Sequence, residues 1–198
     1  MAPTRKPWPM KWIILLIVLF VAPYTYLNLR YRKPGPSYRP YQDARERELI
    51  ARAGYARITI AADLLADSRP GEGGAAVAAA PGGLPEDLRR TLIEPPILPS
   101  DLGPVAAPAV FESGQVYPIQ FECTLADPHL QLAAAKIYVR GTDVVVVADF
   151  ERLTGGLTVR SRRSLVRLTI PPRALNPGRY RFTLLGASAS KCWSVQVH

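Results

Sequence analysis

Eighteen consecutive uncharged residues, Trp12 to Leu29, stand between Lys11 and Arg30. At a helical rise of 1.5 Å per residue they span about 27 Å, close to the roughly 30 Å hydrocarbon core of a bilayer. The run therefore predicts one membrane helix over 12–29, preceded by a short basic tail over 1–11. Aromatic rings, which favour the headgroup level, gather at both edges: Trp8 and Trp12 before the run, Tyr24, Tyr26 and Tyr31 towards its end. Pro23 lies inside the run and removes one backbone hydrogen bond, a defect that membrane helices absorb with a mild kink.

A cleaved signal peptide is the competing reading, because Arg5, Lys6 and Lys11 precede the apolar stretch. Its nearest cleavage point, after Ala22, has Phe20 three positions before the cut and Pro23 just after it, so retention as an anchor is the better reading. Orientation pulls two ways. Arg30, Arg32, Lys33 and Arg39 come after the run and by the positive-inside rule would hold the C-terminal part in the cytoplasm. Long domains, however, translocate largely regardless of charge, and a short basic tail before an anchor suits export of the domain behind it. The expected location is the inner membrane, single-pass, with the C-terminal domain extracytoplasmic.

Beyond the anchor, about 168 residues suffice for one ordinary domain. The 20 Pro and 14 Gly of the chain oppose a helical bundle and favour strands joined by turns. Pro34, Pro36 and Pro40 make 30–54 begin as a stiff spacer, and Asp43 with Glu46 then signals a short juxtamembrane helix over 44–53, stopped by Gly54. Residues 55–108 read as a brief strand over 56–61 and a flexible connection. Twelve of the fourteen residues from Pro70 to Gly83 are Ala, Gly or Pro. A helical turn or two is expected over 85–92.

The last segment, 109–198, carries the strand pattern. Tyr117, Ile119, Phe121, Cys123 and Leu125 alternate with more polar partners, as do Ile137 and Val139, then Leu157 and Val159, Val166 to Ile170, Tyr180 to Leu184, and Trp193 to Val197. Val144 to Ala148 is apolar at every position, the mark of a strand buried on both faces. About seven short strands predict a mainly β fold with a C-terminal antiparallel two-sheet sandwich. The segment Pro177-Gly178-Arg179-Tyr180 before Arg181-Phe182-Thr183-Leu184 resembles the tyrosine-corner region of immunoglobulin-like and fibronectin type III domains, with Tyr180 at the corner position. That resemblance implies an immunoglobulin-like sandwich. A single anchor, a short tail and such an outer domain are also similar in layout to accessory proteins of haem-copper oxidases, although no motif of that group is present.

Charge is distributed very unevenly. Residues 1–151 hold 16 basic and 16 acidic side chains, whereas 152–198 hold nine basic and none acidic, so the whole net charge of +9 lies in the last quarter. Arg160, Arg162, Arg163, Arg167, Arg179 and Arg181 are the candidate interaction surface, for an acidic protein partner or for anionic lipid, with the solubilising role of any charged surface as the plain reading. Nucleic acid is not an expected partner of an exported, anchored domain.

Cys123 and Cys192 are the only cysteines, and a disulfide between them stands beside two independent thiols as alternatives. Their strand parities differ: Cys123 shares the inward parity of Phe121, while Cys192 opposes Trp193 and Val195. Each begins a Cys-x5-His pair, with His129 and His198, the only histidines. Four such ligands could hold zinc or copper if they converged, but the spacing is wide for a zinc site and coincidence is the better account, so no cofactor is expected. No catalytic residue is expected either: there is no Gly-x-Ser-x-Gly, phosphate loop or His-Glu-x-x-His, and Asp149 with Glu151 reads as a solvated edge. The expected function is a non-enzymatic, membrane-anchored accessory or assembly protein docking on another envelope component, with a lipid- or polymer-binding module and a metal-handling protein as alternatives. A topology reporter fused at His198 should be active only on the extracytoplasmic side; cytoplasmic activity would reverse the assignment of compartment.

Overall fold

The computed structural model describes residues 9–31, 40–65, 73–153, 157–159 and 161–198. Residues 1–8 of the basic tail, Trp8 among them, most of the proline spacer and Arg160 lie outside them. The chain divides into two units, Met1–Tyr38 and Arg39–His198.

The first unit is helix α1, Met10–Tyr31. It extends past the apolar run at both ends and stays helical through Pro23. Met10–Asn28 is long and apolar enough to cross a membrane, and none of that window is buried against protein. Its final turns supply their own polar contacts. Asn28 Nδ2 donates to the Tyr24 carbonyl at 2.9 Å, and Arg30 donates to the Tyr26 hydroxyl at 3.0 Å.

The second unit is mainly β. After helix α2, Pro40–Arg52, come strands β1 (Ala56–Leu65) and β2 (Ala78–Pro81), helix α3 (Glu86–Arg89), and strands β3 (Asp101–Ala106), β4 (Val110–Phe111), β5 (Tyr117–Thr124), β6 (Leu130–Arg140), β7 (Asp143–Arg152), β8 (Arg163–Ile170), β9 (Gly178–Leu184) and β10 (Ala189–Val197). The strands run β2-β10-β9-β7-β6-β1-β8-β5-β3, with β4 beside β10. This is one sheet curled into a half-barrel, not the expected pair of separately bonded sheets. Strand β1 makes the curl: Ala56–Ile60 pairs with β6, and Ala61–Leu65 pairs with β8. Two pairings, β7 with β9 and β4 with β10, are parallel, so the sheet is not wholly antiparallel either.

Curling brings the inner faces of the two halves together. Phe121 of β5, Leu168 of β8, Val146 of β7 and Phe182 of β9 share one core with Trp193 of β10. The Tyr117 ring bridges the halves, 4.5 Å from Phe111 and 5.5 Å from Phe182 between centroids, and Phe182 stacks on Trp193 at 5.6 Å. Alternation along β5 is complete, with Tyr117, Ile119, Phe121 and Cys123 buried and their neighbours at least partly exposed.

The outer face of β6 and β7 is also covered. Tyr138, Val145 and Val147 pack with Ile50 of α2, Leu88 of α3 and Leu185, forming a second, smaller core. This cover explains why Val144–Ala148 is apolar at every position. The helices are specified locally: α2 carries Asp43 in its first turn and Arg52 in its last, and Gly54, at φ +79°, lets the Tyr55 amide donate to the Ile50 carbonyl at 3.0 Å. Helix α3 begins after Pro85 with Glu86 and Asp87, both favourable at a helix N-terminus, and buries only Leu88.

Four contacts fasten the segment 84–98 across that face. Arg140 donates to Asp87 at 3.0 Å while its guanidinium lies 4.6 Å from the Tyr55 ring centre, and the Ile93 amide donates to Glu46 at 3.4 Å. The Ile97 amide donates to Asp149 at 3.1 Å, and the Phe150 amide donates back to the Ile97 carbonyl at 3.1 Å. Asp149 is therefore not the solvated edge expected of it; burial raises its pKa, opposed by Lys136 and by the Ile97 amide.

Two further expectations change. Within the Ala/Gly/Pro-rich stretch, Ala78–Pro81 is edge strand β2, paired with Cys192–Ala189 of β10. Its small side chains permit this approach, and at Gly82 a Cβ would collide with the Ser188 carbonyl group. Residues 157–159, expected to start a strand, form none. Replacing Leu88 by Ala should destabilise the domain by about 2–5 kcal/mol, the usual cost of a fully buried Leu→Ala cavity, and a denaturant midpoint shift at unchanged slope measures it. A loss below about 0.5 kcal/mol, the level of a surface substitution, would mean that α3 is not part of the folded core.

Candidate interaction surface

Strand parity sets the direction of each candidate arginine. On β8, Val166, Leu168 and Ile170 point into the core, so Arg163 and Arg167 point outwards; on β9, Phe182 and Leu184 point inwards and Arg179 and Arg181 outwards. Arg162 is exposed just before β8. Five of the six candidates are thus solvent-facing, and Arg160 lies outside the described residues.

They do not form one patch. The inner faces of β5 and β8 meet those of β9 and β10 across the Tyr117–Phe182 contact, so the outer faces of the two halves look in opposite directions. Arg162, Arg163 and Arg167 belong to one side. Arg167 there stands in register with Asp63 of β1 and Gln120 of β5. Arg179 and Arg181 belong to the other side, in register with Gln196 and Ser194 of β10, and Arg181 also with Asp143 of β7.

What unites the five is the lack of a partner. No side-chain hydrogen bond or ion pair holds Arg162, Arg163, Arg167, Arg179 or Arg181 among the described residues. Four arginines nearer the N-terminus behave differently. Arg52 pairs with Glu48 at 2.7 Å, Arg57 with Glu46 at 2.6 Å, Arg90 with Glu86 at 3.1 Å and Arg140 with Asp87 at 3.0 Å. The segment 152–198 contains no carboxylate side chain, and those that strand pairing brings alongside, Asp63 beside Arg167 and Asp143 beside Arg181, form no ion pair with them among the described residues.

Beside Arg181 the outer face is concave. Arg181 and Thr183 of β9, Cys192 and Ser194 of β10, and Ala78 and Ala80 of β2 line a groove of about 390 Å³. The helical cover stops short of it, and its floor is made of small side chains. Opposite parity of Cys192 and Trp193 was the sequence signal for this outward thiol; the groove itself depends on β2, which local pattern did not reveal.

The cysteines are both free. Cys123 is buried on the inner face of β5, and burial pushes its thiol up to about 12, with Glu122 adding to the rise. Cys192 lies partly exposed on the outer face of β10, so the candidate disulfide does not form: the two thiols occupy opposite faces of the curled sheet. The metal set does not converge either. His129 sets its Nδ1 2.9 Å from the Leu157 carbonyl, His198 joins Phe111 and Ser113 through its backbone, and among the described residues no group of three His, Cys, Asp or Glu side chains could hold a metal ion.

The tyrosine tied back to upstream backbone is Tyr117 and not Tyr180. The Tyr117 hydroxyl donates to the Pro108 carbonyl at 2.8 Å and accepts from Trp193 Nε1 at 3.1 Å, whereas no hydrogen bond holds the Tyr180 hydroxyl among the described residues. Burial drives the Tyr117 pKa well up, so it remains a neutral donor. No known protein family, curated protein or solved structure matches this chain.

Brief treatment of the folded chain with a maleimide at pH 8 should modify Cys192 and spare Cys123, whose thiol is both enclosed and poorly ionised. Mass spectrometry after unfolding without reductant should then find two thiols in total. A disulfide-linked peptide pair, or equal labelling of both residues, would contradict the placement.

Proposed function

We propose that this chain is a non-enzymatic, membrane-anchored accessory or assembly protein whose β-domain docks on another membrane or envelope component. The observation that carries the reading is the set of unpartnered guanidiniums on outward strand faces, while Arg57 and Arg140 of the same domain are held in ion pairs. Like charges that no ion pair offsets disfavour the isolated fold, and an acidic partner removes that repulsion. Anchoring by α1 restricts the search for such a partner to the membrane and raises its effective concentration there. On this reading the domain lies on the extracytoplasmic side of the inner membrane. The likeness to immunoglobulin-like outer domains, and to accessory proteins of haem-copper oxidases, is part of this proposal and rests on layout: one anchor followed by one β-domain.

A second reading, binding of anionic lipid or an envelope polymer, is favoured specifically by Arg162 and Arg163 at the start of β8 and Arg167 further along the same outward face, apart from the groove. Phosphate or carboxylate headgroups suit such exposed guanidiniums, and the binding would weaken steeply with salt.

Purification in mild detergent should recover a membrane partner in fixed stoichiometry, and reversing Arg179 and Arg181 to Glu, or Arg163 and Arg167 to Glu, should release it from one pair of variants or the other. Recovery of the protein alone in every preparation, or a partner retained by both pairs, would count against docking through these faces. Binding of the wild type to phosphatidylglycerol vesicles, lost with Arg163→Glu and Arg167→Glu, would favour the second reading.

A further inference from the structure

We infer that the groove on the outer face of β9 and β10 is a binding site for an extended acidic segment of a partner protein, with carboxylates at alternate positions. The inference rests on the docking reading above and names what docks. Arg179 and Arg181 stand on one face of β9 at alternate positions, about 6.8 Å apart along the strand. An extended peptide presents every second side chain at the same repeat, so a Glu-x-Glu segment running along β9 meets both guanidiniums in register.

Three neighbouring features fit that occupant. Ser194 and Gln196, register partners of Arg181 and Arg179 on β10, offer donors beside each guanidinium. The floor of Ala78, Ala80 and Cys192 leaves room for a second backbone to lie close, as larger side chains would not. Strand β2 is the end of the sheet order among the described residues, so no further strand among them closes the groove on that side. Among the described residues the only carboxylate in register with this row is Asp143, next to Arg181; it also lies in the field of Arg140 and Tyr55, on the side of the helical cover. Arg179 has no carboxylate in its row.

The test uses the full chain in uncharged detergent, with a fluorescent alternating Glu-Ala peptide of about ten residues, long enough to span strands of this length. A peptide of the same composition with all Glu before all Ala serves as the control of equal charge. The alternating peptide should bind at least about tenfold more tightly than the block peptide, and Arg179→Glu with Arg181→Glu should weaken it by about tenfold or more. Ala78→Trp, which fills the groove at an exposed position without altering charge, should weaken it as well. Arg163→Glu with Arg167→Glu should leave it within about twofold, being on the other side. Equal binding of both peptides, equal loss with either arginine pair, or no measurable binding overturns the inference. If the peptide fails while a membrane partner still co-purifies and is released only by Arg163→Glu with Arg167→Glu, docking stands and this groove is not its site.

Discussion

Burial of β7 on both faces is the constraint on which the rest of this domain depends. Val144, Val146 and Ala148 face the inner core, while Val145 and Val147 face α2, α3 and Leu185. A strand with no polar face cannot lie at a solvated surface, so two layers must be supplied. Curling of the sheet through β1 provides the inner one. The helical segments provide the outer one, held by contacts that each satisfy a backbone amide or a charge: Asp149 with the Ile97 amide, Glu46 with the Ile93 amide and Arg57, Arg140 with Asp87 and the Tyr55 ring.

This arrangement divides the outer surface by chemistry. Where the helical layer lies, over β6 and β7, Arg57, Lys136 and Arg140 are ion-paired and Tyr138, Val145 and Val147 are enclosed. Beyond it, over β9, β10 and β2, the sheet is bare, its side chains are small or hydroxylated, and its arginines are unpartnered. The same holds for the outward arginines of β8. Unpaired charges on a flat or concave face are free to bind, which is the physical basis of the docking proposal.

Local pattern revealed the elements and much of the inner core. The alternation in β5, the inward set of β8, the run in β7 and the final strand from Trp193 to Val197 lie as their sequences indicate, because period-two burial is imprinted on each strand by itself. The rest required knowledge of strand order. Nothing local to Arg167 or Arg181 says that β6, β7 and β1 separate their strands, so the arginines read as one surface when they make two. Ala78–Pro81 read as a connection because alanine has low strand preference, and only its pairing with β10 makes it a strand. Leu88 is a single apolar residue in a four-residue helix, too short for any periodic signal. The tyrosine corner placed at Tyr180 was misled by a turn before a strand, and the hydroxyl that ties distant backbone together belongs to Tyr117.

The central claim is that the helical layer is an integral cover over β6 and β7, leaving the β9 and β10 face open. Hydrogen exchange of the full chain in detergent, resolved by peptide, addresses it most directly. Amides of Ile50 and of Arg89–Thr91 should exchange together with those of Val144–Ala148, at rates set by unfolding of the whole domain. Exchange of the helical segments at the rate of free peptide, while Val144–Ala148 remains protected, would contradict the account.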